Sequence, residues 1–350
     1  MCSWYRAALR AAAILVTLLL PIAAFAAGHL DEQSSRDDVM RWIDGYRARP
    51  DPGALHAAVK VMSLRGMLHD ADQASVYVGF LAGAIGAHPA TAESLIAKIL
   101  PAFAEEDQWV LVRAIAYSGL PDWKPLLEKF ASRMPSRDVM IKKYLDSELP
   151  TLDHVPLETD KPGFMDQVKG FFGGSSEKHI ALTFDTSPEL LDVLWGMYFA
   201  TGSYQPVSRI IELLPWSKDQ ESVDRLTVGG MAKYTLVSNA ARSKDLLAML
   251  KRANNHQPKS ITPLLSEVIE AAETMDAARV RKEELAAIED LKTKGPNSRR
   301  EVSLWGKVGE GALAIGCIAA AAAGQLELGL PCVIGGATSS AALSAFDGQK

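Results

Sequence analysis

Apolar residues recur every three to four positions through most of this chain, and prolines stand where helices would begin. Val39, Ile43 and Tyr46 fall on one face of a helix, as do Leu55, Val59 and Met62, then Val76, Phe80 and Ala84. The stripe returns at Leu95, Ile96, Ile99 and Leu100, and again at Val110, Leu111, Ala114 and Ile115. This is the period of the α-helix, not the alternation of a strand. Pro52, Pro89, Pro121, Pro188, Pro206 and Pro263 sit where a first helical turn tolerates the missing N–H. Gly119 and Gly202 follow stripes as stop signals. The pattern predicts an all-α protein of helices roughly 10–16 residues long.

A faint duplication runs through it. VGFLAGAIGAHPATAESLIAKILP (78–101) and LWGMYFATGSYQPVSRIIELLP (194–215) share one plan. Each has an aromatic and small-residue helix, a glycine turn, a proline opening the next helix, and an Ile/Leu stripe closing at Leu-Pro. Stacked helix pairs are the logic of α-solenoids, which predicts a helical-repeat architecture in two halves. The first half spans 30–150 and the second 181–258. Between them 151–180 reads as a linker, with Pro156, Pro162, Gly163 and a Gly-Phe-Phe-Gly-Gly run. Residues 260–294 read as one long charged helix, with Leu264, Val268, Ala271, Met275, Val280, Leu285 and Ile288 on its apolar side.

The two ends differ from this body. Residues 1–26 combine Arg6 and Arg10, an apolar centre, Pro21 and an Ala24-Phe25-Ala26 exit. That is the layout of a secretory signal peptide, cut between Ala26 and Ala27. Cleavage removes two arginines and no acid, so the net charge goes from −5 to −7. The expected address is exported: periplasmic or envelope-associated in a Gram-negative bacterium, secreted otherwise. At the other end, 300–350 forms an Ala/Gly-rich tail in which 308–346 carries only Glu310 and Glu327 as charges. Small residues four apart (Ala312, Gly316, Ala320, Gly324) suit close helix approach, so the tail is expected to be a helical hairpin. Cys317 and Cys332 flank its turn and, in an oxidising compartment, form a candidate disulfide. The stretch from 328 to 346 is uncharged, which makes 308–346 a candidate membrane contact.

The search for reaction chemistry gives little. HIALTFDTSP (179–188) resembles the first motif of the polysaccharide deacetylase family, with Asp185 at the position of the base. Thr186 stands where that family has a metal ligand, and the seven histidines never fall three to five apart, so the family's metal chemistry is excluded. Thr186 is read instead as the cap of a helix beginning at Pro188, with Glu189 as its capping-box partner. No phosphate-binding loop, nucleophile elbow or paired-cysteine motif occurs. His154, in the linker near Asp153 and Glu158, is the histidine whose setting best suits chemistry. Trp195, Tyr198 and Phe199 are read as core.

The acidic balance excludes the electrostatic footprint of a nucleic-acid binder. The expected function is a non-catalytic protein-binding or scaffold module, with an unidentified protein partner and no metal or cofactor. The alternatives are a membrane-associated protein tethered or active through its tail, and an enzyme with a dispersed site around His154 or Asp185.

Overall fold

The computed structural model describes residues 30–152 and 187–294, apart from residue 276 and the side chains of 72, 278 and 292. The described residues are all-helical and contain no strand. The first helices are α1 (Arg36–Tyr46), α2 (Leu55–Leu64), α3 (Ala71–Gly86), α4 (Ala92–Ile99), α5 (Gln108–Ala116), α6 (Trp123–Ala131) and α7 (Asp138–Leu145). After residue 187 come α8 (Pro188–Thr201), α9 (Tyr204–Glu212), α10 (Val223–Arg242), α11 (Lys244–Asn254), α12 (Thr262–Glu273) and α13 (Ala277–Lys294).

The stripes named from the sequence are the core. Val39, Ile43, Tyr46, Leu55, Phe80, Ile96, Leu111 and Ile115 are all buried. Helix starts follow local chemistry. Ser35 and Asp38 form a reciprocal capping box on α1: Asp38 N–H donates to Ser35 Oγ (3.2 Å), and Ser35 N–H donates to Asp38 Oδ2 (2.8 Å). At α8 the cap is Ser187, not Thr186, because Ser187 directly precedes Pro188 and its Oγ reaches the N–H of Glu189 at 3.1 Å. That helix ends at Gly202, whose φ of +64° lets its N–H return to the carbonyl of Tyr198.

The central packing event joins α3 to α8, the leading helices of the two similar sequence units. A Cβ on Gly79 would collide with the carbonyl of Val193, and one on Gly196 with the carbonyl of Val76. Gly83 faces Ala200 in the same way, at 2.9 Å from its Cβ. Small residues four apart on both helices let the two backbones touch. Around this crossing lies an aromatic shell. Trp42, Tyr46 and Phe80 meet edge to face at 5.0–5.5 Å between centroids. On the α8 side Trp195, Tyr198 and Phe199 are buried. Arg47 lies over Tyr198 and Phe199, at 5.2 and 5.8 Å, and fastens α1 to them.

The long helix expected over 260–294 is two helices. α12 stops at Glu273, and Met275, counted on the apolar side, instead takes φ +55° and is 72% exposed. The break has a local cause. The hydroxyl of Thr274 donates to the carbonyl of Glu270 (2.9 Å), competing for groups that would continue the ladder. Glu270 and Glu273 also put negative charge at the unfavourable end of the helix dipole.

Candidate functional site

Three polar clusters stand out among the described residues. The largest lines a cleft of about 420 Å³ between α10, α13 and the 3₁₀ turn Leu214–Lys218. In its wall Lys233, on α10, directs Nζ to Glu284 Oε1 of α13 and to Glu267 Oε2 of α12, both at 3.0 Å. Lys233 and Glu284 side chains are each 4% exposed, whereas Glu267 is half exposed. Burial works against the ammonium charge, but Glu284 and Glu267 outweigh it, and the Lys233 pKa lies above the ordinary lysine value. Gly230 stands one helical turn before Lys233 and leaves the room in which Glu284 lies; a Cβ there would come within 3.2 Å of Oε2.

Leu226 and Leu291, both nearly buried, and the exposed Ala287 are the apolar lining of the cleft, and Lys218, Asp219, Glu283, Asp290 and Lys294 line it as well. Asp219 is fixed by its own turn. Its Oδ1 accepts the N–H groups of Glu221 (2.7 Å) and Ser222 (2.8 Å), which shapes the approach to α10.

A second cluster joins the loop after α2 to the start of α5. Asp107 is fully buried; its Oδ2 accepts the Ser63 hydroxyl at 2.6 Å, and its Oδ1 lies 2.8 Å from His69 Nδ1. His69 is half exposed, and its Nε2 is 3.8 Å from Glu106. Such a carboxylate fixes an imidazole's orientation. A third cluster packs Arg113 of α5 against Glu189 of α8, with Tyr117 and Tyr144 beside it and the guanidinium 5.3 Å from the Trp109 ring centre. Burial pushes both tyrosine hydroxyls above their usual pKa. No group of three or more His, Cys, Asp or Glu side chains among the described residues is arranged to hold a metal.

The residues singled out from the sequence are elsewhere. Ala26, Ala27, His154, Asp185, Cys317 and Cys332 all lie outside the described residues, as does the 308–346 tail. Among the described residues no helix is long and apolar enough to cross a membrane. Sequence reading missed Lys233, His69 and Arg113. Only Lys233 left a local signal, as a lone charge among small and apolar neighbours from Val228 to Val237. The other two are defined by partners 38 and 76 positions away. No family model matches the chain, and neither a curated protein nor a solved structure matches it.

Proposed function

We propose that this chain is an exported helical binding protein that engages a protein partner without chemistry, and that the cleft between α10 and α13 is its docking element. One observation carries the reading: an open cleft whose lining combines Leu226, Ala287 and Leu291 with charges of both signs. Apolar groups set among charged ones are the make-up of a protein interface. Mixed rim charges select and orient a partner more than they hold it. The Lys233–Glu284 pair is satisfied within the protein, by each other and by Glu267. The fitting partner is a peptide segment of mixed charge with one small apolar anchor. The helix pairs α3–α4 and α8–α9 are, on this reading, two copies of one repeat. Export rests on the layout of residues 1–26.

The test uses a photo-reactive residue in place of Leu291 and a cleft-filling Ala287→Trp variant, each in the full chain expressed in its native host. A discrete crosslinked partner at Leu291 that disappears with Ala287→Trp supports the reading. An unchanged crosslinking pattern in the filled variant overturns it.

A second reading places the tail at a membrane, on the strength of the uncharged stretch 328–346. Fractionation with and without residues 308–350 tests it. Full release of the intact chain by salt alone rules it out.

A further inference from the structure

We propose that α13 is a hinged arm that swings from α10 as a unit about the turn at Thr274 and Met275, opening and closing the cleft. Four features of the described structure converge on this. The turn places a non-glycine residue, Met275, at φ +55°, an uncommon conformation for a residue with a side chain, here 72% exposed. Beyond the turn α13 packs chiefly on α10 and only lightly on α12. Among the described side chains of this eighteen-residue helix, the fully buried apolar ones are Val280, Ile288 and Leu291, with Ala277 and Leu285 partly buried against the core. The centre of the α10–α13 contact holds the Lys233–Glu284 ion pair, and the cleft lies unfilled beside Ala287 and Leu291.

These features set the energetics of the contact. Desolvating two charges offsets most of what their attraction returns, so an ion pair at the centre of an interface holds it less firmly than apolar packing. The open cleft beside it leaves that side of the contact without packed protein neighbours. The α3–α8 crossing is the opposite case, with glycine backbones in contact and aromatics packed around them. A helix held by few apolar contacts opens locally, well before the whole molecule unfolds. Releasing α13 removes one cleft wall and separates Glu284 from Lys233, leaving Glu267 to face the ammonium. In its consequence for partner access the inference rests on the cleft being the docking element. The motion itself is read on the protein alone, so the two ideas fail separately.

Native-state hydrogen exchange of the full chain, resolved by segment, tests it. Once off α10, α13 is an isolated helix of eighteen residues, marginal in water, so its amides exchange from the swung state. They are expected to exchange at least about 100-fold faster than those of α8, through an opening that denaturant hardly affects. Replacing both charges, Lys233→Met with Glu284→Leu, is expected to slow α13 by about tenfold or more and leave α8 unchanged. Ala287→Leu, which adds apolar surface within the cleft, shifts α13 in the same direction by a separate route. Equal exchange of α13 and α8 in the parent protein overturns the proposal. So does a change in α13 that α8 matches, since that is global stabilisation and not a hinge.

Discussion

Lys233 Nζ lies 3.0 Å from Glu284 Oε1, with both side chains withdrawn from solvent. A pair so placed ties the fold to the protonation of one amine. The folded-state pKa of Lys233 is above the ordinary 10.5, so the folded state binds that proton more tightly than the unfolded chain does. Its contribution is complete below the unfolded value and is lost as pH rises through the folded one.

Buried tyrosines act in the same direction. Burial pushes Tyr46 up to about 12 from an ordinary 10.0, and Tyr77, Tyr117, Tyr144 and Tyr198 are raised as well. The urea midpoint is therefore expected to fall steadily from about pH 10 upward, with tyrosinate absorbance appearing as the fold is lost. Ionisation of any of these five tyrosines at about pH 10 in a still-folded chain, read residue by residue from ring-carbon NMR, contradicts the assigned burial.

The α3–α8 crossing makes a prediction with its own control. Gly79→Ala and Gly196→Ala each put a methyl into the opposing backbone, and each is expected to cost about 1–3 kcal/mol or more. Gly45 lies within α1 with nothing within 4 Å of where its Cβ would be. There the same substitution is expected to stabilise by about 0.5–1 kcal/mol, through helix propensity alone. Chemical denaturation of the three variants checks both signs. A Gly79→Ala variant as stable as the parent means the helices do not touch.

The crossing also shows where sequence reading stops. The stripes that define each helix are local, so period and proline position gave the helical character of the described residues. Which stripes face each other is not local. Spaced small residues were noticed in the tail because that segment is rich in them, while the same device at Gly79, Gly83 and Gly196 is diluted by aromatics. Met275 misled for a related reason. Its hydrophobicity fits the stripe, but the break is set by the Thr274 hydroxyl and the acids before it. The site was less legible than the fold, because Lys233, Glu267 and Glu284 come together only once α10, α12 and α13 have packed.

Trp195 donates its indole N–H to Thr235 Oγ1 at 3.0 Å, a buried bond between α8 and α10. Thr235→Val keeps the shape and strands the donor, and is expected to cost about 1–3 kcal/mol. Thr235→Ser retains the oxygen, so its loss reflects only the missing methyl. If valine is tolerated as well as serine in thermal melts, the indole has another acceptor.

At the acid end the sign reverses. Asp38 is held down to about 2, first by the Ser35 hydroxyl, then by the Ser35 backbone N–H and by Arg41. A carboxyl depressed in the folded state stabilises above its unfolded value and ceases to do so as pH falls through the folded one. The start of α1 is thus expected to fray between about pH 4 and pH 2, while the buried core is still intact. Ser35→Ala removes the largest of these contributions, and the lost cap is worth about 1 kcal/mol. The Arg41 ion pair and the backbone donor survive the substitution, so the Asp38 titration should move only part of the way back toward the ordinary carboxylate range. Carboxyl-carbon NMR of parent and variant reads the shift directly. An Asp38 that still titrates near 2 in Ser35→Ala assigns the depression to the Ser35 backbone N–H and Arg41, and leaves the Ser35 hydroxyl without electrostatic weight.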